Sequence, residues 1–393
     1  MKVGYIVGVF DQLHYGHKNM IIESLARCDR LIIGVHTDVF TKSYKRLPDQ
    51  NQDVRRSEIL RFINDVASTL YDEEDLQLID DNHIDLIKKF GITVIYHGDD
   101  WDLASYKQQI KFYEHKMDVL GVSIELLPYS RGISSTLILT SDIGMKLQNK
   151  QCFLFDLDNT ILLDNQPKKF AYDIISKLNR EGREIYIITN NNRYTPFFIH
   201  SILTKYKIQI PLSNIISTLT VISSYLTRHN YKNIYIWGTP DAKQYFRDQG
   251  FQTERKEELV STTNLPELVV VLYSNQFDYD DLSQLCEVIT KVPYIIGNID
   301  RMYPDKRSIL PDTGCLWKYL EYGCGKPPQK IFGKPNPHML EEILETYSRD
   351  EIVFIGDSKE TDAVVASKNS IDFIHVDETF GDISHLGVLC NYF

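Results

Sequence analysis

Short runs rich in apolar and β-branched residues alternate along the chain with longer stretches in which apolar residues recur at helical spacing. Near the start the runs fall at 2–9, 31–37, 92–97 and 122–127, and the helically spaced stretches at 16–28, 54–70 and 102–120. Such alternation predicts βαβ units around a parallel sheet. A second, independent series opens at "QCFLFDLDNT" and continues through "REIYIITN", "NIYIWG", "LVVVLYS", "VPYIIGN", "QKIFG", "EIVFIGD" and "IDFIHV". The expected fold class is therefore α/β. Two tandem Rossmann-like parallel-sheet domains, 1–145 and 151–393, would be joined near "SDIGMKLQNKQ" at 141–151. The sequence shows no internal repeat, low-complexity tract or heptad pattern.

A chain of 393 residues has room for two such domains, each with its own core. With 43 Lys+Arg against 54 Asp+Glu, the net charge of -11 argues against a general nucleic-acid or anionic-membrane surface. Any anionic ligand must then be met by local donors or by metal. Cysteines 28, 152, 286, 315, 324 and 390 show no metal-ligand spacing and read as reduced core residues. No apolar stretch approaches the ~20 residues that span a bilayer, and no leader pattern precedes the first strand-like run, so a cytoplasmic location is expected.

Candidate chemistry starts at "GVFDQLHYGH", residues 8–17, where the first apolar run gives way to a helical stretch. His14 and His17 fall at the start of that helix. Zinc, packing and a phosphate site are all open to two such histidines. No third ligand follows at a usual interval, which counts against zinc. A helix N-terminus offers unpaired N–H groups and partial positive charge, and imidazoles beside it suit a polyphosphate. Downstream, "HGDDW" at 97–101 follows a strand-like run, and "SRGISST" at 130–136 has the hydroxyls of a phosphate-facing helix start.

These three ordered motifs resemble the glycerol-3-phosphate cytidylyltransferase branch of the HxGH nucleotidyltransferases, over about residues 1–140. The resemblance implies in-line attack of an acceptor phosphate on CTP with loss of pyrophosphate, His14 and His17 stabilising the developing charge. It further implies nucleotide contacts from Gly8, Phe10, Asp11, Lys45, Asp100, Trp101, Gly132, Ile133 and Ser134, with Asp100 reading the cytosine amine. Arg56 would meet the acceptor phosphate, and the enzyme would be a homodimer. Tyr129 stands where the family has arginine, and Val9 where it often has threonine.

In the second half, "FLFDLDNT" puts Asp156 and Asp158 on one side of a strand end. "IITNNN" adds Thr189 and Asn190, "FGKPNP" adds Lys334, and "FIGDSKETD" adds Asp357 and Asp362, each after a separate strand. Ligand sites of parallel sheets gather at such ends. This half resembles the NagD-like and p-nitrophenyl phosphatase branch of the haloacid dehalogenase (HAD) superfamily, over about 151–380. The resemblance implies that Asp156 is the nucleophile and Asp158 the acid and base. Thr189, Asn190 and Lys334 would bind the phosphoryl group. Mg²⁺ would be held by Asp156, the Asp158 carbonyl and Asp357, with Asp362 close by. A cap inserted at about 228–300 would cover the site.

The expected function is bifunctional: a CTP-dependent transferase acting on a small phosphorylated polyol, and a phosphatase for a second small phosphate ester. Were both to act on one ester they would undo each other, so different esters are expected. The alternatives are a chain with one active half, the other being regulatory or tethering, and an adenylyltransferase in the first half.

Overall fold

The computed structural model describes the chain except for residues 45, 81–82, 99–120, 128–141, 254–264, 306–307 and 380. The chain divides into two compact units, one of 1–148, 169–181 and 377–393, the other of 149–168 and 182–376.

The first unit has five strands, β1 Val3–Gly8, β2 Arg30–His36, β3 Leu76–Ile79, β4 Val94–Gly98 and β5 Ser123–Leu127, in the order β3-β2-β1-β4-β5. All the pairings are parallel. The helices are α1 Tyr15–Arg27, α2 Asp38–Tyr44, α3 Gln52–Val66, α4 His83–Phe90 and α5 Asp142–Leu147. Strands β1 and β2 are buried along most of their length, which is why they read as continuous apolar runs. The sequence pattern missed β3: this edge strand has four residues, and its Leu78 is 38% exposed, so neither a run nor an alternation stands out. Strand order reverses between β1 and β4, and ligands of open parallel sheets bind beyond the carboxyl ends at such a point. The expected helix at 102–120 lies outside the described residues.

Helix α6, Ala171–Arg180, and the C-terminal segment from 377 group with this first unit, so the units are not a simple cut at 145–151. The reason is local. Asp65 of α3 takes Lys177 Nζ at 2.7 Å and Arg180 at 2.9 Å, and Cys390 is buried with its thiol directed to Val66 O.

The second unit holds two parallel five-stranded sheets. Its strands are β6 Cys152–Phe155, β7 Leu162–Leu163, β8 Gln166–Pro167, β9 Glu184–Thr189, β10 Ile215–Ser217, β11 Asn233–Trp237, β12 Gln252–Thr253, β13 Leu268–Val271, β14 Tyr294–Ile296, β15 Met302–Asp305, β16 Ser308–Pro311, β17 Lys330–Ile331, β18 Ile352–Gly356 and β19 Asp372–His375. The core sheet runs β10-β9-β6-β18-β19 and the inserted sheet β12-β11-β13-β14-β17, while β7–β8 and β15–β16 are small antiparallel hairpins. The inserted sheet thus takes in β17 and reaches beyond the expected limit near 300. Helices α7 Pro196–Lys205, α8 Thr218–Arg228, α9 Pro240–Asp248, α10 Tyr279–Lys291, α11 Thr313–Cys324, α12 Glu341–Leu344 and α13 Asp362–Asn369 flank the sheets. No described helix is long and apolar enough to cross a membrane.

One buried carboxyl sets a pH dependence on the first unit. Asp173, near the start of α6, is 3% exposed and accepts a hydrogen bond from Ser68 Oγ at 3.3 Å. Burial pushes it up to about 6, although Ser68 pulls the other way. The unfolded chain releases this proton near ~3.9. Its contribution to stability is therefore fully present below that value and is lost as pH rises through about 6. Asp173→Asn keeps an acceptor for Ser68 and is expected to stabilise the protein at pH ~8 by on the order of 2 kcal/mol, with no gain at pH ~3.5. Thermal unfolding at the two pH values checks this.

Candidate active sites

In the first unit, β1 ends at Gly8, and Phe10 and Gln12 follow with φ of 56° and 48°. Asp11 turns toward the loop before α3, accepting from Asp49 N at 3.0 Å and Gln50 N at 3.1 Å. Although burial raises its pKa, these amides and Arg55 hold it below the ordinary value. The fully buried Arg55, which no motif marks, donates to Val9 O, Gln50 O at 3.1 Å, His36 O at 3.0 Å and Asp38 Oδ1 at 2.6 Å. It ties the ends of β1 and β2 to α3.

That clamp positions the start of α1. His14 is its N-cap residue, in extended conformation and without a side-chain capping bond. The His14 and His17 rings stack with centroids 3.7 Å apart and 21° between planes, and Phe10 meets His17 edge-on at 5.2 Å. Burial lowers the His14 pKa, so the ring favours its neutral form. The structure thus brings Gly8, Phe10, His14 and His17 to one sheet edge. Arg56 instead pairs with Glu73 at 3.4 Å, in the turn before β3. Lys45, Asp100, Trp101, Gly132, Ile133 and Ser134 lie outside the described residues.

In the second unit the expected residues converge. Asp156 follows β6, its N–H donating to Ile355 O at 3.0 Å, so the ends of β6 and β18 are level. Lys334 is buried and its Nζ bridges Asp156 Oδ1 and, at 2.7 Å, Asp362 Oδ1. Asp362 opens α13, where its Oδ2 accepts from Ser358 N at 3.1 Å. A Cβ on Gly356 would lie 2.3 Å from that Oδ2, so the end of β18 must be glycine for the carboxylate to fit. Asp156, Asp357 and Asp362 offer carboxylate oxygens within 4.8 Å of one another. Burial first, and then the neighbouring carboxylates, raise Asp156 well above the ordinary value despite Lys334, and Asp357 is raised the same way. An all-oxygen, crowded donor set of this kind fits a hard divalent cation, whose charge would relieve the repulsion.

Three consecutive asparagines after β9 tie the site together, and only the first was anticipated. Asn190 Oδ1 accepts from Lys334 N at 2.5 Å, and its Nδ2 donates to Lys334 O at 3.0 Å and Asp300 Oδ2 at 2.9 Å. Asn191 Nδ2 donates to Asp158 Oδ2 at 3.2 Å, and its N–H to Thr189 Oγ1 at 3.0 Å. Asn192 Oδ1 accepts from Tyr273 N at 2.9 Å and its Nδ2 donates to Thr313 Oγ1 at 3.3 Å. The sequence signal was present in "TNNN", and the partners Asp300 and Thr313 lie in the stretches "GNIDRMYP" and "LPDTG", which belong to the phosphatase resemblance although neither residue was singled out. Asp300 is pushed up to about 6 by burial. Asp156, Asp158, Thr189, Asn190, Lys334, Asp357 and Asp362 all line one cavity of about 1020 Å³.

A cytidylyltransferase-like family model matches residues 5–141, a haloacid dehalogenase-like hydrolase model 153–252, and a HAD-hydrolase-like model 331–382. The chain is an enzyme that resembles cytidylyltransferase-like proteins in its first part and HAD-like hydrolases in its second. Among relatives of the HAD-like part, an acid sugar phosphatase of Staphylococcus aureus is 24% identical over 253 residues, 63% of this chain and 95% of the relative. A 4-nitrophenylphosphatase from Thermotoga maritima aligns with a TM-score of 0.56 at 24% identity, covering 62% of this chain and 97% of that one. A glycerol phosphate phosphatase from Mycobacterium tuberculosis, solved in complex with magnesium, aligns at 0.52 and 21%, covering 59% and 69%. At these identities the structures establish the fold of the HAD-like domain.

Gly356→Ala is expected to push Asp362 off its position and to weaken divalent-cation binding on the order of 10–100-fold. Titration calorimetry with Mg²⁺ measures this directly, and unchanged affinity would remove Asp362 from the cation site.

Proposed function

We propose that the protein is a bifunctional enzyme, with a Mg²⁺-dependent phosphatase in the HAD-like domain and a CTP-dependent transferase in the first. The observation that carries the reading is the buried Lys334 bridging Asp156 and Asp362, with Asp158 and Asp357 in the same cavity. Bound Mg²⁺ would supply charge neutralisation to the carboxylates Asp156, Asp357 and Asp362 and to the phosphate. Asp156 attacks phosphorus, giving an aspartyl-phosphate, while Asp158 protonates the departing alcohol oxygen. Asp158 then takes a proton from the water that releases phosphate. Thr189 Oγ1 already accepts from Asn191 N, so its O–H is the part left to donate to a phosphoryl oxygen, beside Lys334.

In the first domain, the stacked His14 and His17 at the N-terminus of α1 support a triphosphate site. An acceptor phosphate attacks the α-phosphorus of CTP, pyrophosphate leaves, and the product is a CDP-activated small polyol of the kind used for surface polysaccharides. Asp100 accepts from the cytosine amine. The phosphatase acts on a different small sugar, triose or polyol phosphate, so the two activities do not cancel.

Separation of function tests the proposal. Asp156→Asn is expected to lower phosphatase kcat by on the order of 10³-fold or more and to leave CTP turnover intact. His14→Ala is expected to lower pyrophosphate release by on the order of 10²–10³-fold and to spare the phosphatase. Paired assays of phosphate and pyrophosphate release read both, and loss of both activities in either variant would contradict it.

A further inference from the structure

The phosphatase cavity contains a second polar group that the reaction steps do not use. Asn191 Oδ1 accepts from Arg193 N at 3.1 Å and Tyr194 N at 3.2 Å, turning the chain where Arg193 joins the cavity lining. The Arg193 guanidinium lies 3.9 Å from the Tyr303 ring centroid, and Tyr303 Oη is hydrogen-bonded to Tyr273 Oη at 2.6 Å. Its neighbours among the described residues are aromatic faces rather than a paired carboxylate. The donors of its fork therefore remain for a ligand.

Asp312 lines the same cavity as the N-cap residue of α11. Its capping bonds, from Thr313 N at 2.5 Å and Thr313 Oγ1 at 2.9 Å, both end on Oδ1. Oδ2 receives no hydrogen bond among the described residues. The start of α11 is fixed, because Gly314 N donates to Asp300 O at 2.9 Å and a Cβ at Gly314 would lie 2.3 Å from Ile299 O. Burial raises the Asp312 pKa while Arg193 pulls it down and Asp158 pushes it up, which puts all three charges within electrostatic reach. Asp312 thus shares the lining of one cavity with Arg193 and with Asp158, the group that protonates the leaving oxygen.

A second anion on the substrate would meet Asp312 and Asp158 in that space. Neutral hydroxyls would instead donate to Asp312 Oδ2 and accept from Arg193. We infer that Arg193 and Asp312 form a subsite that reads hydroxyl groups on the leaving alcohol, so that the substrate class is phosphomonoesters of polyols. The inference rests on the phosphatase reading and adds the residues that select the alcohol.

The test compares kcat/KM of the full chain on glycerol 3-phosphate, used as a small hydroxyl-bearing probe and not as the physiological ester, 3-phosphoglycerate and p-nitrophenyl phosphate. The first carries hydroxyls, the second a carboxylate in place of a terminal hydroxyl, the third neither. The unaltered protein is expected to prefer glycerol 3-phosphate over 3-phosphoglycerate by about tenfold or more. Asp312→Ser keeps a good N-cap residue and removes Oδ2, and Arg193→Met removes the fork. Each is expected to lower the glycerol 3-phosphate to p-nitrophenyl phosphate ratio by about tenfold. A purely structural role would lower both rates and leave the ratio in place, which would overturn the inference. Preference for 3-phosphoglycerate would overturn it too, while leaving the phosphatase standing. If the unaltered protein hydrolysed none of the three, the phosphatase reading would fail and this inference with it.

Discussion

A buried ammonium group holds the second unit's chemistry in place. Lys334 is 3% exposed, and its Nζ lies against both Asp156 and Asp362. Removing such a charge from water costs several kcal/mol unless opposite charge repays it. Burial alone would lower the Lys334 pKa, and the two carboxylates raise it above its ordinary value instead. The carboxylates gain as well, since three of them within 4.8 Å would otherwise repel one another. The arrangement keeps Asp156 in place while leaving it one cation short of full compensation. That shortfall is what a divalent ion can meet.

The surrounding fold is shaped to deliver these charges. Parallel pairing of β6 with β18 brings Asp156 and Asp357 to adjacent strand ends. Gly356 leaves room for Asp362, and the Asn190 side chain bonds both the N–H and the C=O of Lys334. In the first unit Arg55 does comparable work with hydrogen bonds, fixing the ends of β1 and β2 so that α1 begins where His14 and His17 can stack. One unit gathers acids around a cation, the other gathers imidazoles at a helix start.

Much of this was legible in the sequence. The strand ends bearing Asp156, Thr189, Lys334 and Asp357 read directly, because buried parallel strands are continuous apolar runs and a polar residue ending one is conspicuous. Strand β3 did not read, being a short edge with Leu78 partly exposed. Nor did the roles of Asn191, Asn192 and Asp300 read, since each bonds a partner far away in sequence, Asp158, Tyr273 and Asn190 respectively. The clamp at Arg55 did not read either: adjacent arginines on one helix look alike in sequence, and only packing shows that Arg55 is buried while Arg56 pairs with Glu73. The grouping of α6 and the C-terminal segment with the first unit depends on contacts such as Lys177 with Asp65, for which no local signal exists.

The central claim is that Asp156, set beside Lys334, accepts a phosphoryl group. Acid-quenching the protein during turnover of a phosphate ester and mapping its peptides by mass spectrometry tests this most directly. The account predicts a phosphoryl adduct on the peptide bearing Asp156, lost on treatment with hydroxylamine and absent from Asp156→Asn. Steady turnover with no adduct there, or with the adduct on another residue, would contradict it.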